Sequence, residues 1–205
     1  MTTILSTTYL GPIQYYSKLL SSERILIERF ENYPKQTYRN RCLIYGANGL
    51  QTLTVPVTKG HQLKIYTKDI QIDNTSNWTK IHFKSIESAY RCSPFYEYYI
   101  DHLIPFYEHS FNFLYDFNFE IMNTIFQMLD ITPDISETEQ YIISNTIGYD
   151  DFRDCIHPKK HMMKSGDEFT PPVYRQVFEP KSGFIPNLSI IDLIFNTGPE
   201  ASSLL

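Results

Sequence analysis

The chain has 205 residues, 42% of them hydrophobic, three cysteines and a formal net charge of −5. A chain of this length buries a core without help from disulfides or metal, the odd and widely spaced cysteines argue against a disulfide framework, and no dense Lys/Arg stripe suits nucleic acid. Its 16 Tyr and 14 Phe stand against one Trp, an excess that fits a core with polar edges or a surface that stacks on ligands.

The charge is unevenly divided. Residues 1–100 hold 12 Lys and Arg against 7 Asp and Glu (+5), while residues 101–205 hold 6 against 16 (−10). A small anionic ligand on the front half follows from that field. No stretch reaches the ~18 apolar residues of a membrane span, and the first residues have neither the basic region nor the apolar run of a signal peptide. The expectation is a cytoplasmic protein with no membrane span, no nucleic-acid partner and reduced thiols.

In chain order, "TILS" predicts a strand, Gly11-Pro12 a turn, and Ile13, Tyr16, Leu19 and Leu20 a helix by their spacing. "ERILIERF" follows as a second strand, so a compact βαβ-like unit with a parallel pair is expected. Residues 31–40 have no period and read as a loop. "RCLIY" and "LQTLTVPV" predict a hairpin over 41–57 with its turn at Ala47 to Gly49, because Asn48-Gly49 is a strong hairpin signal. Pro56 ends the second strand or sets it at an edge. "LKIYTKDIQID" is a further strand candidate.

From Asn77 the period becomes helical. "NWTKIHFKSIESAY" predicts a helix capped by Asn77, and "SPFYEYYIDHLIPFYEH" one capped by Ser93 with Pro94 first and Pro105 kinking or ending it. "FNFEIMNTIFQMLD" predicts a third, with Ile121, Met122, Ile125, Phe126 and Leu129 inward. "EQYIIS" and "PVYRQVF" read as strands and "DDFRDCI" as a short helix. "NLSIIDLIFNTG" reads as a last helix, capped by Asn187 or Ser189 and stopped near Gly198. The fold class is α/β: one domain over 1–205 with a mixed sheet, an N-terminal βαβ-like unit, a β-hairpin and a helical second half, β-rich over 1–75 and helix-rich over 76–205.

Several constellations can carry chemistry. If a strand begins at Arg39, then Arg39 and Arg41 share a face and grip a phosphate or carboxylate, with Lys35, Tyr38 and Asn40 beside them and Lys59, Lys64 and Lys68 adding to the field. The alternative is surface charges paired with Glu28 and Glu31. On the helix from Asn77, Trp78, His82, Ser85 and Ala89 form one stripe, with Tyr90 further round. A buried His82 stays neutral at pH 7, as a general base requires, or is simply a core histidine satisfied by one hydrogen bond.

Tyr9 and Gln14 flank the first strand-to-helix turn, where free N–H groups favour anions, unless this is a plain turn. His157 and His161 stand at i, i+4 with Asp151 and Asp154 near, but in a segment poorly suited to helix, so no metal site is expected. Cys92 follows Arg91 and precedes a helix start, although an incidental thiol is the default. No nucleotide-binding glycine motif, phosphate loop or serine elbow is present in the sequence, so no cofactor is expected.

Five segments in order, "TTYLGPIQYYSKL", "TYRNRCLI", "LTVPV", "NWTKIHFKSIESAYRCSPFY" and "FIPNLSIIDLIFN", resemble the WbqC-like protein family over roughly residues 3–195. The chain departs from the family at "CIHPKKHMMKSG", where many members carry a glycine-rich turn. Members occur among bacterial genes for O-antigen and other surface polysaccharides. The resemblance therefore implies a role in that biosynthesis, with acyl or aminoacyl transfer to an amino sugar as the reaction it suggests. On this reading His82 is the catalytic base. Tyr9, Gln14, Arg39, Asn40, Arg41, Trp78 and Tyr90 bind a nucleotide-linked or lipid-linked sugar. The alternative is a non-catalytic binding or scaffold protein of a glycan assembly complex. The enzyme reading predicts that Tyr9, Arg39, Arg41 and His82 line one pocket; the scaffold reading predicts that they scatter and that exposed aromatics form a flat patch.

Overall fold

The computed structural model describes residues 1–58, 64–144, 146–159 and 169–205. β1 (Thr2–Ser6) leads through a loop into α1 (Ile13–Leu20), which returns the chain to β2 (Arg24–Glu28). The two strands pair in parallel, Thr2 opposite Arg24 and Ser6 opposite Glu28, so the βαβ-like unit is present. Ile4 and Leu5 of β1 and Ile25 and Ile27 of β2 are buried, as the central strands of a covered parallel sheet demand.

β3 (Arg41–Gly46) and β4 (Gly49–Thr54) form the expected hairpin, with Gly46 opposite Gly49. Gly49 takes φ +99° while Ala47 and Asn48 do not enter the left-handed region. The glycine therefore follows the turn instead of sharing its centre with Asn48. β4 stops at Thr54, two residues before Pro56. The "LKIYTKDIQID" expectation needs correction. Its described part is a 3₁₀ turn over Thr67–Asp69 followed by β6 (Gln71–Ile72), which pairs with β5 (Val57–Thr58). Such short pieces are ordered by their partners, and the alternation of isoleucines reports burial at two ends of a turn.

α2 (Trp78–Tyr90), α3 (Tyr96–Glu108) and α4 (Leu114–Leu129) follow. The five apolar positions of α4 named above are all buried. α3 starts later than its serine cap suggests, because Ser93, Pro94 and Phe95 form a turn whose N–H groups reach Tyr90 and Phe195 carbonyls. Pro105 lies inside α3, which runs on to Glu108. It strips the hydrogen bond from the carbonyl of Asp101, an exposed residue that water can satisfy.

Three weaker expectations fail. "EQYIIS" is not a strand, and β7 is the earlier Ile135–Glu137. "DDFRDCI" begins as the end of β8 (Tyr149–Asp151) and turns, without a helix. "PVYRQVF" has no regular element. Both real strands are three residues long, too short for any period to show. A short α5 (Glu179–Ser182) precedes α6 (Ile190–Thr197), which ends at Gly198 and is continued by a 3₁₀ run over Gly198–Leu204. Ser189 holds the position before α6, but its hydroxyl donates to Leu10 and does not cap the helix.

The main sheet has the order β7-β2-β1-β8, and every neighbour pair is parallel. The α/β class holds, with parallel and antiparallel pairings in separate sheets. α6 is buried from Ile190 to Phe195 and locks against the start of α1, where Ile13 N–H donates to Leu188 and Ile190 N–H to Gly11. Among the described residues no helix is long and apolar enough to cross a membrane.

Candidate functional site at the carboxyl edge of the parallel sheet

From β1 the chain moves outward through β2 to β7, then returns to the far side of β1 as β8. Strand order reverses between β1 and β8, and in open parallel sheets the crevice beyond the carboxyl ends at such a point is where ligands bind. Here the crevice is floored by Ser6, Thr7 and Thr8 after β1 and by Phe152, Arg153 and Ile156 after β8, with Arg39 between. It has closed to a slot of about 10 Å³, room for roughly one water.

An ion lattice fills it. Arg39 forks onto Glu31, its Nε and Nη2 each 2.6 Å from a carboxylate oxygen, and Nη2 also donates to Ser6 Oγ. Arg153 forks onto Asp151 and reaches Glu28 at 3.2 Å. Glu28 is fully buried and also accepts from Phe30 N, Ile142 N and Thr138 Oγ1. Burial alone would push Asp151 up, but the Arg153 fork outweighs it and holds the carboxyl below its ordinary value. Both guanidiniums here are engaged, two cations against three carboxylates, so the lattice fixes the strand ends and leaves no cation to spare.

The open part of the edge lies next to it. Tyr33, Lys35, Gln36, Asn40, Arg41 and Val57 line a cavity of about 350 Å³. Its lining has two cations and no carboxylate. Asn40 is buried, clamps Val55 by donating to its carbonyl and accepting nothing at Oδ1, while Arg41 Nε is likewise buried and unpartnered among the described residues. Burial lifts the Tyr33 hydroxyl to about 12, and the guanidiniums of Arg39 and Arg41 both pull it the other way. Tyr33 thus stands within reach of both arginines, which face different spaces. The shared strand face expected for them does not exist, because β3 begins at Arg41 and Arg39 sits in the preceding turn.

His82 lies in a closed nest. Tyr9 Oη is 2.9 Å from His82 Nδ1 and 2.8 Å from Tyr107 Oη, and Trp78 meets the imidazole edge-on. The ring also has a backbone hydrogen bond to Thr54 that favours its protonated form, the mark of donation from the ring. Nδ1 is therefore left to accept from Tyr9. Burial lowers the pKa of His82 to about 4. The ring is neutral at pH 7 as expected, yet both nitrogens are engaged, and neither His82 nor Tyr9 borders the slot or the Arg41 cavity. The buried stripe of α2 also carries Ile86 in place of the expected Ser85, which accepts from Gln51 at the surface.

The start of α1 offers no free donors at Ile13 and Gln14. Their N–H groups are taken by Leu188 and Asn187, and Asn187 also donates to the Gln14 side chain. Tyr90 accepts from Tyr45 N and lies near Asp192, whose carboxylate accepts from Tyr174 and Gln176 in a separate network. Lys68 pairs with Asp69, and Lys64 lines a different cavity. Burial lowers the pKa of His157, and the Arg39 charge adds to it. His161 and Lys59 lie outside the described residues, within which no metal-binding group of His, Cys, Asp and Glu occurs. Cys92 is exposed. The alternative reading of the basic cluster, pairing with Glu28 and Glu31, holds for Arg39 and Glu31, although the pair is buried and not at the surface, while Glu28 pairs with Arg153 instead. Sequence reasoning missed Ser6 and Arg153; polar residues at the carboxyl ends of apolar strands were the available signal.

The model of the WbqC-like protein family matches residues 7–154 and 162–204. An uncharacterized protein of Mycobacterium tuberculosis, Rv1507c, is 26% identical over 222 aligned positions, covering 98% of this chain and 96% of the relative. No solved structure matches the chain.

Proposed function

This chain belongs to the WbqC-like protein family, and from that premise we propose that it handles a phosphate-bearing amino sugar, nucleotide-linked or lipid-linked, during assembly of a bacterial surface polysaccharide. The reaction that fits is acyl or aminoacyl transfer, in which the sugar amine attacks the acyl carbonyl and the donor's leaving group departs as the amide forms. One observation carries the reading. Arg41 and Lys35 face a 350 Å³ cavity with no carboxylate on its lining. Two buried polar atoms there, Arg41 Nε and Asn40 Oδ1, have no partner among the described residues. Two cations on a lining without a carboxylate suit a phosphate, and the Asn40 amide beside them suits a sugar hydroxyl. Tyr9, Arg39, Arg41 and His82 do not line one pocket, so this reading gives up His82 as the base and puts substrate binding at the Arg41 cavity.

The test is a thermal-shift and calorimetric screen of nucleotide sugars and inorganic diphosphate, followed by mass spectrometry of amino-sugar substrates mixed with acyl donors. Binding raises the melting point by mass action, and Arg41→Ala weakens it by about 1.5–3 kcal/mol. If no phosphate-bearing sugar binds, the scaffold reading takes its place. One observation favours that second reading: Tyr141, Ile143 and Ile147 are all exposed in the loop between β7 and β8.

A further inference from the structure

Beyond the carboxyl ends of β2 and β7 lies another cavity, of about 570 Å³, lined by Phe30, Asn32, Lys64, Ile65, Tyr66, Asp69 and Tyr141. We propose that it is a second binding site, which takes a neutral sugar ring stacked on Tyr66 and Tyr141.

The first ground is the exposure of the aromatics. Tyr66 is 48% and Tyr141 47% exposed, although both sit in a molecule that buries most of its tyrosines. Their rings line one concave space with Phe30, whose ring meets Tyr66 edge-on. A pyranose presents a C–H face with slight positive character, which packs on the negative face of an aromatic ring, and hydroxyls around its rim. Asn32, Lys64 and Asp69 supply an amide, a donor and an acceptor among those aromatics.

The second ground is charge. This lining holds one cation and one carboxylate, Lys64 and Asp69, and Asp69 is already bonded to Lys68. The Arg41 cavity holds two cations and none of the opposite sign. The two spaces are therefore sorted: the basic one suits a phosphate, and the balanced one suits an uncharged, hydroxyl-rich group.

The third is rigidity. The segment bearing Tyr66 is stitched to the chain after β2: Tyr33 N–H donates to Ile65, Thr67 N–H to Glu31 and Lys68 N–H to Arg29. Arg153 lies 5.1 Å from the centre of the Tyr141 ring, and the next residue but none, Ile142, donates its N–H to Glu28. The wall is thus held by the same ion lattice that closes the slot. A preorganised aromatic wall costs little ordering on binding, unlike an exposed tyrosine on a free loop.

The inference adds a subsite to the proposed function but stands on its own lining, so either can fail alone. The test is saturation-transfer NMR and calorimetry with neutral probes: glucose, N-acetylglucosamine, maltotriose and chitotriose, with uridine and inorganic phosphate as counter-probes. At least one neutral saccharide should saturate. Tyr66→Ala and Tyr141→Ala should each weaken it tenfold or more, Tyr141→Phe by less than threefold, and Arg41→Ala not at all. Both aromatic positions are half exposed, so unchanged melting points confirm that the variants are folded. The proposal is overturned if no neutral saccharide saturates at tens of millimolar. Saccharide binding that ignores both alanine substitutions overturns it too, as does binding of uridine and not of saccharides through Tyr66. Loss of phosphate binding in Arg41→Ala, with saccharide binding kept, separates this site from the basic cavity.

Discussion

The His82 nest and the Arg41 cavity are both polar inclusions in an apolar protein, and they differ in completion. Around His82 every identified polar atom has found its partner: Tyr9, Tyr107 and Thr54 close the circuit. Around Arg41 two buried atoms have not, and the residues that carry them line a cavity. A buried histidine with a displaced pKa is a common mark of a catalytic centre. Here it marks a finished piece of interior, and the unfinished hydrogen bonding lies elsewhere. Residues that line a cavity and also carry unsatisfied polar atoms are the better guide, because a buried polar atom without a partner costs free energy.

The largest effect that tests this contrast belongs to Arg39, the fully matched neighbour of Arg41. Arg39→Ala strands Glu31, a buried carboxylate, and should lower unfolding free energy by about 3–5 kcal/mol in urea titrations. A loss under 1 kcal/mol would mean that the lattice is not holding the strand ends.

The next concerns pH. The folded pKa of His82, about 4, lies below its ordinary 6.5, so the unfolded chain takes up the proton first. Its contribution to stability is complete above pH 6.5 and is lost as pH falls toward 4, by about 3 kcal/mol. Asp192 runs the opposite way. Burial raises it from 3.8 to about 6, so its contribution is complete below pH 3.8 and disappears as pH rises through 6. The two offset each other in one window. His82→Gln should therefore make the protein gain stability on acidification relative to the parent, by about 2–3 kcal/mol between pH 7 and 4.5. Parallel pH curves for parent and variant would show that the ring is more open than its contacts indicate.

Tyr9→Phe removes the donor to Nδ1 while keeping the ring, and should cost about 1–2 kcal/mol of stability with no effect on ligand affinity. A change in affinity would return the nest to the functional site. Smallest is the stability effect of Arg41→Ala, within about 0.5 kcal/mol, since no described partner is left behind. Its effect on phosphate-sugar affinity should be several times larger. Equal effects on both would erase the distinction between the two regions.

What could be read in the sequence follows from length and locality. α2, α4, α6 and the hairpin announce themselves because their periods run for many residues or their turn chemistry is local. β7 and β8 do not, since three residues such as Tyr149, Asp150 and Asp151 become a strand only by lying beside β1. In the site, Asn40 and Arg41 were visible as part of a basic cluster. Arg39 was visible too, and its pairing with Glu31 was one of the two readings; that the pair is buried is what no period records. The Arg153–Glu28 pair spans 125 positions, a separation at which sequence order says nothing about proximity. Tyr66 and Tyr141 were hidden among many tyrosines, most of which fill the core.

The position of β1 has a consequence for synthesis. This strand is made before the rest of its sheet and is central in the finished sheet, yet its neighbour on one side, β8, ends at residue 151 and the helix that covers α1 begins at residue 190. A nascent chain that has emerged only as far as α4 holds β1 paired with β2 and bare along its other edge, with buried-type residues Ile4 and Leu5 on show. An open strand edge of that kind templates pairing with other chains. Folding must therefore wait for contacts of very long sequence separation, which are slow to close. The three-residue strand that completes the sheet is then what ends the vulnerable interval: a few late residues protect the earliest ones.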